Sequence, residues 1–170
     1  KPGQIVGVGW YAPSCETCAL CKEGAPQLCA RAQGTIIGRH GGFADRIRCD
    51  ENWAIVLPKK LVHESAGPLF CGGITVFDPI LIADVKAGDR VAVVGLGGLG
   101  HLAVQFLKHW GCQVTVLSST AEKHDDALRL GASEVFNIHD AAQLRNLANR
   151  FDFVLVTAYA ELNWSLVLQT

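Results

Sequence analysis

A chain of 170 residues with 49% hydrophobic and 18% charged side chains can bury the core of one domain or two partial ones, and it carries too little charge to stay disordered. A formal net charge of −1 with no basic stripe excludes the electrostatic footprint of a nucleic-acid binder. No apolar run approaches the ~20 residues of a bilayer span, and no signal-type segment follows Lys1-Pro2-Gly3-Gln4, so a soluble, cytoplasmic protein without a membrane partner is expected.

In chain order, residues 4–8 predict a short apolar strand and residues 13–33 a cysteine-rich loop without apolar periodicity. Gly41 and Gly42 open an alternating segment that predicts a turn and a strand to residue 48; a second strand is predicted over 52–57, stopped by Pro58. After Ser65 the texture changes. Residues 65–79 are small and apolar and predict partial helix, and 86–89 predict a turn. Strands then follow over 90–94, 113–117, 134–138 and 151–156. Helices alternate with them over 99–110, 121–130 (stopped by Gly131) and 141–149. Such alternation of continuous apolar strands with helices predicts an α/β fold, a doubly wound parallel sheet covered on both faces. A six-stranded sheet of that kind needs two more strands, and the first residues read as the inside of a strand, so an internal piece of a longer protein is expected.

Seven cysteines are present, at 15, 18, 21, 29, 49, 71 and 112. Four of them, Cys15-x2-Cys18-x2-Cys21-x7-Cys29, fall in one short loop. Zinc favours a closed tetrahedron of thiolates, and two-residue spacers let backbone wrap around one ion, so a structural zinc is the leading reading. Two others compete. A bacterial iron–sulfur loop shares C-x2-C-x2-C but continues x3-C-P, which this chain lacks. A pair of disulfides would need an oxidising compartment.

Residues 91–100 place Gly95, Leu96, Gly97, Gly98, Leu99 and Gly100 as G-x-G-x-x-G between a strand and a helix. The motif gains its meaning from that context: Gly95 for the tight turn, Gly97 for approach of a pyrophosphate, Gly100 for close helix packing, with free N–H groups at the helix start. A merely tight strand–helix turn is the alternative. About twenty residues on, a carboxylate at the tip of the next strand would favour NAD. Here Ser118, Ser119 and Thr120 end that strand and Lys123 follows, a set suited to the 2′-phosphate of NADP. These hydroxyls could instead cap the next helix, and Asp125 and Asp126 dilute the local charge.

Together these motifs resemble the medium-chain, zinc-dependent alcohol dehydrogenases, and within them the cinnamyl alcohol dehydrogenase branch with its bacterial NADP-dependent aldehyde reductases. The cysteine spacing matches the structural zinc lobe, residues 41–45 a GG[YF] strand start, and residues 68–76 a PLLCAGITVY segment. Residues 94–101 match VGLGGLGH, 114–123 resemble VTVxSxSxxK, and 130–132 match an LGA turn. The resemblance covers essentially the whole chain. It implies part of a β-rich GroES-like catalytic domain over 1–66, with the lobe at 13–33, and an incomplete Rossmann-like NADP-binding domain over 67–170.

The resemblance also implies roles. Cys15, Cys18, Cys21 and Cys29 hold structural zinc, and Cys71 is one ligand of a catalytic zinc that polarises the alcohol oxygen. Thr75 lies near the nicotinamide and Thr157 near its ribose. Residues 95–100 hold the pyrophosphate, and Ser118, Ser119, Thr120 and Lys123 the 2′-phosphate. The implied substrate is a small primary alcohol or aldehyde and the implied assembly a homodimer; an exposed sheet edge also predicts self-association. The family's other catalytic-zinc ligands, including a Gly-His-Glu segment, do not occur here. The parent protein is therefore expected to transfer hydride and this piece alone to be inactive. A non-catalytic zinc- and dinucleotide-binding remnant, or a zinc-containing interaction module, is the alternative.

Overall fold

The computed structural model describes residues 1–120 and 122–170. Backbone contacts divide the chain into two units, Lys1–Cys71 and Gly72–Thr170.

The first unit is mostly irregular. Strand β1 (Val6–Gly7) pairs antiparallel with β2 (Ile55–Val56), Val6 opposite Val56. Both are shorter than their sequence predicts, although Leu57 still donates to the Ile5 carbonyl at 3.0 Å. The predicted strand over 43–48 does not form; these residues run as bends and open loop. Alternation alone does not make a strand, because the ladder needs a partner, and none pairs with this segment among the described residues. Instead the Arg39 guanidinium donates to the carbonyls of Ala12 and Arg48, tying the loop down by a side chain.

From this unit the cysteine lobe emerges on a closed neck. Tyr11 and Gly34 form a bridge, Ala12 N–H donates to the Gln33 carbonyl and Gln33 N–H to that of Pro13, both at 2.9 Å. Inside the lobe one helical turn, α1 (Ala19–Lys22), and a 3-10 turn at Pro26–Leu28 change the chain direction. Neither helix buries a residue.

The second unit is the predicted α/β sheet. Strands β3 (Arg90–Val94), β4 (Gln113–Ser118), β5 (Glu134–Asn137) and β6 (Phe153–Val156) are all parallel, in the order β5-β4-β3-β6. This is the 3-2-1-4 core of a doubly wound fold, and the order reverses between β4 and β6 on either side of β3. The two faces separate by residue parity. Val91, Val93, Val114 and Val116 pack with Val76 and Ile80 of helix α2 (Gly72–Ile82) and Val104 and Leu107 of α3 (Gly100–Trp110). Ala92, Val94 and Leu117 pack on the other side with Leu144 of α5 (Ala141–Asn146) and Val167 of α6 (Trp164–Val167). Burial on both faces explains why Val91–Val94 and Phe153–Val156 read as unbroken apolar runs.

Three differences from the sequence prediction have local causes. Helix α2 runs through Pro79 to Ile82, because Val76 and Ile80 on either side of it are fully buried. Helix α4 (His124–Leu130) is entered through a 3-10 turn, Ala121–Lys123, rather than being α-helical from the start, and it stops at Gly131, whose φ of 115° is the left-handed cap that glycine adopts without strain. The short α6 has no signature in the sequence beyond Asn163, whose side chain accepts from Leu166 N–H.

At the opposite end from the glycine turn, Arg90 clasps Asp152 across β3 and β6 through its backbone N–H (2.9 Å), Nε (3.2 Å) and Nη2 (2.9 Å). The Arg90 side chain, followed by its backbone N–H, holds the Asp152 carboxyl at about 2, below its ordinary 3.8. A depressed folded-state pKa gives stability that is present above the unfolded value and is lost as pH falls through the folded one. Asp152→Asn should therefore lower the melting temperature above about pH 4, with the gap to the unsubstituted protein closing toward pH 2. Melting curves that stay parallel across that window would contradict the clasp.

Candidate functional site

The four lobe sulfurs all lie within 4.8 Å of one another. Cys15 and Cys21 Sγ are 3.9 Å apart, Cys18 and Cys21 Sγ 3.5 Å. A zinc tetrahedron with Zn–S bonds of about 2.3 Å requires S···S spacings of about 3.8 Å, so the donor set fits that ion in chemistry and in spacing. Surrounding donors favour thiolates. The Thr17 backbone N–H, then its hydroxyl, then Cys18 N–H pull the Cys15 thiol down to about 5. Cys29 is lowered by the N–H groups of Cys15 and Arg31. Cys18 goes the other way, to about 11: the Cys21 N–H draws it down, but sulfur–sulfur hydrogen bonds to Cys21 and Cys15 and partial burial outweigh that pull. Without a cation, four crowded sulfurs cannot all hold negative charge; a divalent ion removes that conflict. Arg31 adds positive charge at the rim, its Nη2 donating to Thr17 Oγ1 at 3.1 Å.

Cys71 is exposed and ends the first unit, just past the 3-10 turn Gly67–Phe70. It joins no group of three or more metal-ligating side chains among the described residues. A catalytic zinc needs about three protein ligands, so these residues do not fit that second ion. Thr75 lies exposed in the first turn of α2, in the second unit.

The remaining site residues converge. In the register of the sheet Val94 stands between Leu117 and Val156, so Gly95, Ser118 and Thr157 leave the C-terminal ends of β3, β4 and β6 side by side at the order reversal. The glycines there do different things. Gly95 has φ of 92°, and a Cβ on it would meet Ala158 Cβ at 2.9 Å. A Cβ on Gly100 would overlap the Gly95 carbonyl oxygen and lie 3.1 Å from Thr157 Oγ1. Gly97 and Gly98 face open space, with no atom within 4 Å of an added Cβ. Thus two glycines are required by the fold and two leave room for a ligand against the backbone. Helix α3 begins there with no side-chain cap and no acidic residue in its first turn, which leaves its N-terminal partial positive charge facing that room.

At the end of β4, Ser118 Oγ accepts from Thr120 N–H at 3.3 Å, and the Ser119 and Thr120 hydroxyls lie 3.4 Å apart. Neither hydroxyl caps α4, whose N-cap is Lys123 with no side-chain cap bond. Lys123 lines a concavity of about 400 Å³ with Leu96, His101, Asp126, Arg129 and Leu130. The sequence offered no role for Arg129; its only signal was the three-residue spacing from Asp126, with which it forms an ion pair. His101 Nδ1 lies 3.2 Å from the Gly97 carbonyl.

Residues 1–59 match the model of the alcohol dehydrogenase GroES-like domain, and residues 98–170 that of the zinc-binding dehydrogenases. The chain is 45% identical over 168 residues to an aldehyde reductase AdhA of Synechocystis, covering 99% of this chain and 50% of the relative. A cinnamyl alcohol dehydrogenase structure from Sorghum bicolor superposes with a TM-score of 0.89 at 38% identity, covering 99% of this chain and 51% of that one. The CAD of Helicobacter pylori complexed with NADP(H) superposes at 0.86 with 30% identity, covering 99% and 50%. The chain thus spans about half the length of the relatives it matches. No helix among the described residues is long and apolar enough to cross a membrane.

Proposed function

This chain belongs to the zinc-type medium-chain alcohol dehydrogenases, and from that membership we propose that it is the structural-zinc and cofactor-binding half of an oxidoreductase acting on a small primary alcohol or aldehyde with NADP(H). The observation that carries this is the open glycine cradle at Gly97 and Gly98 beside a strand tip, Ser118–Thr120, that presents hydroxyls and no carboxylate, with Lys123 three residues on. The nicotinamide cofactor supplies the hydride chemistry. The chain's own residues bind and orient: the α3 N-terminus and the backbone of 95–100 take the pyrophosphate, and Ser118, Ser119, Thr120 and Lys123 take the 2′-phosphate. A carboxylate at the strand tip would repel that phosphate; its replacement by hydroxyls and an ammonium group selects for it. Thr75 is assigned to the nicotinamide and Cys71 to the catalytic metal. One sulfur does not make a metal site, so no zinc-dependent step is assigned to these residues and turnover by this chain alone is expected to be absent. A cluster of thiolates also favours a reducing compartment, so a cytoplasmic location is part of the same proposal, as is self-association into a homodimer.

Calorimetry with NADPH and NADH tests the reading. NADPH should bind at least about tenfold more tightly, and Lys123→Ala should remove most of that preference by weakening NADPH alone, since a phosphate contact by a charged donor is worth roughly 1.5–3 kcal/mol. Equal affinity for both dinucleotides would defeat the NADP assignment. A chain that binds neither, yet still carries zinc, would instead be a zinc-containing interaction module.

A further inference from the structure

The peptide that begins the glycine turn is held from both sides of the sheet. Gly95 N–H donates to the Leu117 carbonyl of β4 at 2.8 Å. From the other side, Thr157 N–H donates to the Val94 carbonyl at 2.9 Å, and Thr157 Oγ1 reaches the carbonyls of Val94 at 3.0 Å and Gly95 at 2.9 Å. A threonine hydroxyl has one hydrogen, so both carbonyls share it. That hydrogen is committed inside the protein. The second carbonyl is the one against which Gly100 packs so closely that no Cβ fits between them. The orientation of the Gly95–Leu96 peptide therefore depends on a side chain about sixty residues away, across the point where strand order reverses.

We propose that Thr157 is a positioning residue: its hydroxyl locks the Gly95 carbonyl, and through it the direction of the Gly97–Gly98 backbone that would take the pyrophosphate, rather than serving as a donor to the cofactor. The proposal rests on the dinucleotide-binding reading for its ligand. Its mechanical half concerns the turn alone. Valine has nearly the shape of threonine without the donor, so it removes the lock and sets a methyl group against the two carbonyls; serine keeps the donor and removes only a methyl group.

The test uses the full chain with two probes, NADPH and adenosine 2′-monophosphate, which carries the 2′-phosphate but no pyrophosphate. Thr157→Val should weaken NADPH about tenfold, the loss of one well-placed hydrogen-bond donor, and leave adenosine 2′-monophosphate within about twofold. Thr157→Ser should stay within about threefold of the unsubstituted chain for NADPH. Hydrogen exchange across residues 95–100 should speed up in the valine variant and not in the serine variant. Unchanged NADPH binding in Thr157→Val, or an equal loss for both probes, overturns the proposal. Should the unsubstituted chain bind neither probe, the dinucleotide reading fails by itself, and unchanged exchange at the turn in Thr157→Val would then overturn the lock independently.

Discussion

Chelation of the metal, or Cys21→Ser, is expected to unfold the lobe between residues 13 and 33 while the parallel sheet of Gly72–Thr170 stays folded. The lobe has almost nothing else to hold it. Of its side chains only Cys29 is buried, and the neck contributes Ala12; Leu20 and Leu28 are exposed. Its two helical turns bury no residue. Structural zinc binding is worth about 10–16 kcal/mol in small zinc-bound peptides, an order of magnitude more than any hydrogen bond in the loop. Cys21 is the informative ligand because its sulfur touches those of both Cys15 and Cys18. Serine there removes one of four thiolates and leaves the other three crowded without their ion. Zinc content should fall from about one per chain to near zero, and trypsin should gain access to Lys22 and Arg31, both exposed on the lobe. NADPH affinity should be unaffected, because the sheet is a separate compact unit. Retention of a full zinc equivalent, or trypsin resistance without metal, would remove the structural-zinc assignment. Iron with sulfide in place of zinc would favour the iron–sulfur alternative.

What the sequence made legible follows from how local each signal is. The strands at residues 90–94 and 113–118 could be read because both of their faces are covered, which leaves 91–94 apolar throughout and 114–117 apolar but for the buried Thr115, runs of strand length. The cysteine cluster was legible because its spacing and its chemistry occupy the same short segment. The strand expected over 43–48 fails for the converse reason: alternation is local, but a ladder is a property of two segments. Arg129 beside the glycine turn, and the bonds from the Thr157 hydroxyl to the Val94 and Gly95 carbonyls, were not legible, since each depends on the winding of the sheet. The glycine motif lies between these cases. Its pattern is local, yet the division of labour among its members is set by Ala158, Thr157 and the Gly95 carbonyl, all placed by packing.

That division gives opposite expectations for one chemical change at two positions three residues apart. Gly100→Ala puts a methyl group into the Gly95 carbonyl oxygen, 3.0 Å from its carbon and 3.1 Å from Thr157 Oγ1. Backbone on one side and a hydrogen-bonded hydroxyl on the other leave no flexible neighbour to yield, so α3 must move off β3. Overpacking of this kind costs about 3 kcal/mol, a large part of the 5–15 kcal/mol that holds a typical domain together. The sheet unit should melt well below its unsubstituted temperature, and NADPH binding should fall because the turn is displaced. Gly97→Ala meets nothing within 4 Å and needs no left-handed backbone. Alanine even restricts the unfolded chain, which favours folding slightly. Its melting temperature should equal or exceed the original, while NADPH weakens by at least about tenfold, or 1.4 kcal/mol, because the methyl group occupies the space the pyrophosphate needs. Adenosine 2′-monophosphate should bind Gly97→Ala normally. A Gly97→Ala protein that keeps full NADPH affinity would mean that the open side of the turn is not where the dinucleotide lies. A Gly100→Ala protein that melts normally would mean that α3 has slack that the contact with the Gly95 carbonyl denies.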